Sequence, residues 1–338
     1  LAHKEREDQA ITLIRQGNIQ EAEEIYRELI KLGTNNYVTY GYLSAIYEMQ
    51  GKYDEMVKLL SVAIKINPNE ADLFYDLGNA YNLTESLNDA IASYKKAIEL
   101  KPTHMKALNN LGNVLKKKGE YAKAIYYYDA FLNLQPNNPD AHINIGNVHK
   151  EQRSLDAAIK SYNKAIELNP NNSEAFNNLG NALREKGDLS SAVDAYRTAI
   201  KIAPSRPDSH YNLGIVNQQQ GKLANAIASY KEALRLKPFN PDAHINLGNA
   251  YQQQGDFSSA IASYKKVFES KPSCPNASIN IGHCLLSLKN YSEGWKLYEY
   301  RQFKSELPSL PHAQPRSQRW CGDHPSNGSK DLLVISEQ

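Results

Sequence analysis

The sequence repeats itself with a period of 34 residues. Prolines recur in steps of 34 from Pro68 to Pro272, and alanines do so from Ala90 to Ala260. A short unit repeated at such a period cannot bury its apolar surface alone, so neighbouring units must stack into one array. The glycines and tyrosines that keep the same phase are Gly78, Gly112, Gly146, Gly180, Gly214, Gly248 and Gly282, with Tyr94, Tyr128, Tyr162, Tyr196, Tyr230, Tyr264 and Tyr298.

Each unit has the pattern of two amphipathic helices. If the glycine is position 8 of its unit, positions 4, 7, 8 and 11 share one face of a first helix, and positions 20, 24 and 27 share one face of a second. The proline at position 32 cannot continue the second helix and ends it. The nine repeats then cover residues 3–308 and begin at residues 3, 37, 71, 105, 139, 173, 207, 241 and 275.

The recurring pattern is an aromatic residue or His at position 4, Leu or Ile at 7, Gly at 8, Ala at 20, Tyr at 24 and Pro at 32. By this pattern the repeat is identified as a tetratricopeptide repeat. The resemblance implies an all-α fold, a right-handed superhelical solenoid of about nine tetratricopeptide helix pairs, with the first helices forming a concave wall. The first, second and ninth repeats depart from the pattern, as expected of caps; Ser44, for example, replaces the glycine and Gly294 the alanine.

Asparagine recurs in the first helices, although it costs up to about 0.7 kcal/mol relative to Ala inside a helix. Positions 6 and 9 are neighbours on one helix face, and this is not the apolar face. Positions 5, 6, 9, 12 and 13 are therefore predicted to face the concave groove. The asparagines are Asn110, Asn144, Asn178, Asn212, Asn246 and Asn280 at position 6, and Asn79, Asn113, Asn147, Asn181 and Asn249 at position 9.

These amides predict a site for an extended polypeptide. Each carries a donor and an acceptor, so it can pair with a ligand C=O and N–H together, largely independently of the ligand sequence. The alternative is that the amides bond across adjacent repeats and stiffen the array. The two roles are compatible.

The segment AFNNLGNALREKGDLSSAVDAYRTAI (175–200) resembles the repeats of O-linked N-acetylglucosamine transferase. That resemblance implies that the position-6 asparagines line the superhelix and hold substrate polypeptides by their backbone. In the earlier repeats Tyr42 and Asp76 interrupt the series.

Residues 309–338 no longer follow the repeat. They combine a proline-bearing connector with the apolar run DLLVIS (331–336), which is typical of a buried strand. The segments EGWKLYEYR (293–301), RWCG (319–322) and LLVISEQ (332–338) resemble the junction at which bacterial repeats of this kind enter a glycosyltransferase-like domain. We therefore expect a linker and the first strand of a truncated domain, with any catalytic residues beyond Gln338. A disordered tail with a chance apolar segment is the alternative.

Composition narrows the class of partner. The formal charge is +2, from 39 basic and 37 acidic residues, so no overall field favours nucleic acid or a membrane. There is no run of 18 apolar residues, and the three cysteines are too few for a disulfide framework, which predicts a reducing, cytoplasmic location. We expect no catalytic residue, cofactor or metal in this chain.

The position-4 histidines and a lysine-rich stretch each have both a structural and a functional interpretation. His142, His210 and His244 share position 4, where we expect them to pack against the core rather than to bind a metal. Residues 105–138 are lysine-rich and, with Lys150 and Arg184, would favour an acidic ligand. A solvated charged face is the alternative for the lysines.

The sequence thus predicts a protein-interaction module that binds extended polypeptide segments, and that recruits substrates or partners for a glycosyltransferase-like enzyme. A stand-alone adaptor and a self-association interface that yields a homo-oligomer are the alternatives.

Overall fold

The computed structural model describes residues 2–299, and every regular element in that range is a helix. None of these helices combines the length and the apolar character needed to cross a bilayer. The predicted linker and strand at 309–338 lie outside the described residues. The helices are α1 (Ala2–Arg15), α2 (Ile19–Lys31), α3 (Tyr37–Met49), α4 (Tyr53–Ile66), α5 (Ala71–Leu83), α6 (Leu87–Leu100), α7 (Met105–Lys117), α8 (Tyr121–Leu134), α9 (Pro139–Glu151), α10 (Leu155–Leu168), α11 (Ser173–Lys186), α12 (Leu189–Ile202), α13 (Pro207–Gln219), α14 (Leu223–Leu236), α15 (Pro241–Gln254), α16 (Phe257–Ser270), α17 (Pro275–Ser287) and α18 (Tyr291–Tyr298).

The helices pack as consecutive pairs, α1 with α2 through α17 with α18, which confirms the predicted all-α fold of about nine helix pairs. The first helices of the second to ninth repeats each begin at the first residue of the repeat. The chain divides into two compact bodies, an N-terminal body, Leu1–Pro170, and a C-terminal body, Asn171–Gln338. Within each body, the second helix of a pair also packs against the first helix of the next pair.

Capping residues at the repeat boundaries explain why the helices begin and end where they do. The Oδ1 atom of Asn138 accepts hydrogen bonds from the backbone N–H groups of Asp140 and Ala141, at 3.0 and 3.2 Å, so it caps α9. Pro139 occupies the first turn, where its missing N–H has no helical partner to lose. At the other end, α8 stops just before Pro136, which cannot donate the next helical hydrogen bond.

The core of each regular repeat is a tyrosine ring lying on a glycine. The position-24 tyrosines from Tyr94 to Tyr264 are fully buried. A Cβ atom added to Gly146 would lie 2.6 Å from Cε1 of Tyr162, closer than real Cβ contacts, and the other regular repeats show the same geometry. Position 8 must therefore be glycine because the ring occupies the volume that a side chain would need.

The ninth repeat departs from this arrangement. The sequence places Tyr298 in phase with the buried tyrosines, but its ring is only half-buried and lies 4.7 Å from His283 and 5.7 Å from Trp295 between ring centroids. A Cβ on Gly282 would instead meet backbone atoms, 2.9 Å from the carbonyl oxygen of Gly294. Because Gly294 replaces the usual alanine, the two helix backbones approach closely and leave no room for the ring.

Candidate functional site

All eleven asparagines of the predicted site are half-buried on the first helices. Their amides are therefore neither enclosed in the core nor fully solvated. The hydrogen-bond partners of the amides differ between the asparagines at position 6 and those at position 9.

The position-9 asparagines accept hydrogen bonds from the buried tyrosines of their own repeats. The hydroxyl of Tyr128 donates to Oδ1 of Asn113 at 2.7 Å. Burial raises the pKa of Tyr94, Tyr128 and Tyr264, and that of Tyr196 to about 12. At neutral pH each of these hydroxyls therefore keeps its proton and donates it. Because an unpaired buried hydroxyl is costly, position 9 has a structural role in addition to the predicted binding role. The equivalent pairs are Tyr94 with Asn79, Tyr162 with Asn147, Tyr196 with Asn181 and Tyr264 with Asn249, at 2.7–2.8 Å.

The seventh repeat shows how the hydroxyl is satisfied without that asparagine. Position 9 is Ile215 there, and the hydroxyl of Tyr230 donates to Oε1 of Gln218 at position 12, at 2.8 Å. In the eighth repeat Gln252 accepts from Tyr264 in the same way, at 2.9 Å. Position 12 therefore lies beside the amide of position 9.

Five of the six position-6 asparagines donate a hydrogen bond to the preceding repeat of their own body. Nδ2 of Asn144 donates to Oδ1 of Asn109 at 3.1 Å, and Nδ2 of Asn212 donates to Oδ1 of Asn177 at 3.1 Å. The alternative role, bonding across repeats, is therefore present in the structure. Three further donors of this kind are Asn110 to Asn79 (3.0 Å), Asn246 to the hydroxyl of Tyr211 (3.0 Å) and Asn280 to Asn249 (3.3 Å).

These bonds use only part of each position-6 amide. Within the described residues, the Oδ1 atoms of Asn144, Asn212 and Asn246 accept no hydrogen bond. One amide hydrogen of each residue is likewise left over. An acceptor and a donor of each half-buried amide thus remain for another molecule.

Sequence reasoning missed the position-5 acceptors, Asn109, Asn177 and Tyr211. Each lies 35 residues before the position-6 donor that it accepts from, one residue more than the period. The sequence does contain a signal for these bonds, namely an acceptor side chain at position 5 that lies 35 residues before a position-6 asparagine.

The two interruptions of the series have different surroundings. The ring of Tyr42 stacks on that of Tyr26, with centroids 5.6 Å apart. The half-buried Asp76 has its pKa raised to about 7, first by burial and then by the carboxylates of Asp72 and Glu48. Neither residue continues the row of amides.

The position-4 histidines pack at the repeat boundary. A ring nitrogen of His210 lies 2.9 Å from the carbonyl oxygen of Pro204, and one of His244 lies 3.0 Å from that of Pro238. A carbonyl only accepts, so each ring donates an N–H to the preceding turn. Burial lowers the pKa of both His142 and His244. Residues 2–299 contain no group of three His, Cys, Asp or Glu side chains placed to hold a metal ion.

Family comparisons identify the repeat. Models described as "TPR repeat" match residues 84–119, 112–153, 180–221 and 218–255, and "Tetratricopeptide repeat" models match 139–172, 161–194 and 241–274. Together these matches run without a gap from residue 84 to residue 274, which is more than half of the chain. No curated protein matches the sequence.

Known structures share the fold. The C-terminal part of a TPR repeat-containing protein from Cytophaga hutchinsonii is 21% identical, with a TM-score of 0.57 over 71% of this chain and 98% of that one. PilF of Pseudomonas aeruginosa is 20% identical, with a TM-score of 0.52 over 60% and 97%. The APC/C hetero-tetramer Cut9-Hcn1 is 16% identical, with a TM-score of 0.56 over 78% of this chain and 52% of that one. At these identities the similarity shows the fold alone.

Proposed function

Because the chain belongs to the tetratricopeptide-repeat family, we propose that it binds extended polypeptide segments along the face that carries the position-6 asparagines. Tetratricopeptide repeats are generally protein-interaction modules. The observation that carries the proposal is the unused acceptor and donor of half-buried amides such as Asn144, Asn212 and Asn246.

The bonds to the preceding repeat support this function. They hold each amide in one orientation before a ligand arrives, which lowers the conformational entropy lost on binding. Packed helices lie about 8–10 Å apart, and an extended chain advances about 3.3 Å per residue. One amide in each repeat would therefore meet the ligand backbone about every third residue.

The partner is a protein rather than a small molecule, since the site is a repeated row of main-chain-binding groups. We further propose that the repeats recruit substrates for a glycosyltransferase-like domain, on the resemblance of residues 293–301, 319–322 and 332–338 to such a junction. Sugar-nucleotide binding by a protein that carries these repeats together with such a domain, and not by residues 1–338 alone, would support this wider role. An adaptor without catalytic activity would bind polypeptides and no sugar nucleotide.

Removal of three amides from the C-terminal body tests the binding site. We expect the Asn178→Ala, Asn212→Ala and Asn246→Ala triple variant to bind an unstructured Gly-Ser-Gln peptide of about fifteen residues at least about tenfold more weakly, because three backbone hydrogen bonds are lost. Fluorescence anisotropy measures the affinity. Thermal stability should change little, because the lost inter-repeat bonds are offset by the better helix propensity of alanine.

The matched control replaces exposed asparagines of second helices, Asn133→Ala, Asn163→Ala and Asn225→Ala. It should bind the peptide as the unaltered protein does. Equal affinity of the test variant and the control would contradict the proposal, and so would a loss of fold in the test variant without a specific binding defect.

A further inference from the structure

Position 12 carries a cation in three consecutive repeats. These residues are Lys116 and Lys150 in the N-terminal body and Arg184 in the C-terminal body, and all three are half-buried. In the next two repeats the same position is a neutral glutamine, Gln218 and Gln252. Within the N-terminal body, the two lysines therefore place cations at the fourth and fifth repeats, on helices that also carry the asparagines.

The ion pairing of these two lysines differs from that of the lysines around them. Around them, Lys117 pairs with Glu85 at 3.0 Å, and Glu120 pairs with both Lys118 and Lys123, at 2.8 and 2.6 Å. Within residues 2–299, Lys116 and Lys150 form no ion pair. Lys116 and Lys150 therefore differ from Lys117, Lys118 and Lys123, whose ammonium groups each lie beside a carboxylate.

The lysines stand beside the amides. Gln218 and Gln252 show that position 12 reaches the tyrosine hydroxyl that position 9 also accepts from. By the same geometry the stem of Lys116 begins next to Asn113, and that of Lys150 next to Asn147. A lysine stem packs along apolar surface while its ammonium group extends toward water. The charge therefore lies at the edge of the row that would hold a ligand backbone.

We propose that Lys116 and Lys150 form a binding site for acidic side chains of the polypeptide that the asparagines hold. This inference rests on the proposed function. The inference adds a preference for acidic side chains to a site that is otherwise independent of the ligand sequence. The part of the ligand bound at the fourth and fifth repeats then carries Asp, Glu or phosphorylated Ser or Thr. Ammonium–carboxylate and ammonium–phosphate hydrogen bonds are stronger than neutral ones.

The surrounding charges favour a protein ligand over a nucleic acid. The exposed carboxylates of Asp140 and Glu151 lie on α9 with Lys150, and the chain as a whole carries a net charge of only +2. Nucleic acid binding requires cations along a continuous row of phosphates, whereas position 12 supplies only two cations in the N-terminal body, one in each of two repeats. Spaced acidic side chains require only the separated cations that are present.

The test uses the whole chain and a matched pair of peptides. One is a fluorescent Gly-Ser-Glu peptide of about fifteen residues, and the other has Gln in place of each Glu. We expect the Glu peptide to bind about tenfold more tightly than the Gln peptide at low salt, with the difference shrinking at high salt. In Lys116→Gln with Lys150→Gln the two peptides should bind equally. Glutamine is what the chain carries at this position in the seventh and eighth repeats, so the fold accommodates it.

The control variant, Lys95→Gln with Lys160→Gln, removes the same charge from exposed positions of second helices in the same body and should keep the preference. A phosphoserine peptide separates the two acidic chemistries: tighter binding than the Glu peptide identifies phosphorylated segments, and weaker binding identifies Asp and Glu.

The outcomes separate this inference from the proposed function. Equal binding of the Glu and Gln peptides to the unaltered protein overturns the inference and leaves the proposed function intact. No binding of either peptide overturns both. A preference for Glu that persists in the double variant assigns it to other residues and overturns the inference, as does tighter binding of single-stranded oligothymidine than of any peptide.

Discussion

Asparagine has two different structural roles in this protein, and its position within the repeat decides which. At position 9 the carbonyl of Asn113 accepts a hydrogen bond from a fully buried tyrosine hydroxyl. At position 6 the amide of Asn144 donates to the preceding repeat and leaves its carbonyl without a partner among the described residues. Position 9 therefore contributes mainly to stability, whereas position 6 retains the unused polar groups on which the proposed binding site depends.

The pair formed by Tyr128 and Asn113 gives a stability test of this division. Asn113→Ala should destabilise the protein by about 1–2 kcal/mol, because the buried hydroxyl loses its acceptor, while the gain in helix propensity offsets part of that cost. In a Tyr128→Phe background the same substitution should cost much less, since no hydroxyl remains to be satisfied. Urea denaturation of the four proteins measures the coupling. Equal effects of Asn113→Ala in both backgrounds would show that the hydrogen bond contributes nothing.

Asp76 gives a pH-dependent prediction at the same scale. Its pKa is raised in the folded protein to about 7, from an ordinary value of 3.8, so the folded state retains a proton that the unfolded state has lost. The free energy of unfolding therefore falls as the pH rises from about 4 to about 7, and above that range the full destabilisation by the ionised Asp76 carboxylate is present. Asp76→Asn, which restores the usual position-6 residue, should raise the Tm by a few degrees at pH 8 and by much less at pH 4.

Thermal unfolding followed by circular dichroism, at equal ionic strength, checks this prediction. Asp129→Asn, at an exposed position, serves as the control for simple removal of a carboxylate. A Tm gain from Asp76→Asn that does not change with pH would refute the interpretation.

At the scale of the element, the close approach of two helices in a repeat depends on a glycine facing an aromatic ring. The buried rings from Tyr94 to Tyr264 lie where a side chain on the first helix would otherwise be. A helix normally loses stability at an interior glycine, by about 0.5–1 kcal/mol relative to alanine. Here that loss is accepted because the ring fills the space.

Two glycine-to-alanine substitutions should therefore have opposite effects. Gly146→Ala places a Cβ atom 2.6 Å from the ring of Tyr162 and should destabilise the protein by about 1–3 kcal/mol. Gly41→Ala, inside α3, meets no atom within 4 Å and should stabilise it by about 0.5–1 kcal/mol. Urea midpoints of the two variants provide the comparison. Destabilisation by Gly41→Ala would show that helix propensity does not govern that position.

At the scale of the whole molecule, each of the two bodies is built from similar helix pairs, and the residues at their surface positions vary along the chain. The repeated core pair of glycine and tyrosine is nearly constant, whereas position 12 changes from the cations Lys116, Lys150 and Arg184 to the glutamines Gln218 and Gln252. Stability in such arrays comes from each repeat and its contacts with neighbours. Surface positions can therefore vary in charge from repeat to repeat without loss of fold.

The sequence by itself determined the period, the helix pairs, the buried face and most helix boundaries, because backbone propensity, capping and apolar spacing act within one 34-residue repeat. It also predicted which residues form the candidate binding face. Only the tertiary structure decided the partner of each amide. Asn113 and Asn144 have similar surroundings in the sequence, yet one bonds a hydroxyl fifteen residues later in its own repeat and the other an amide of the preceding repeat. Helix packing brings those partners together, and local rules within one helix do not specify how the helices pack. In the ninth repeat the close approach of the two helix backbones also leaves Tyr298 only half-buried.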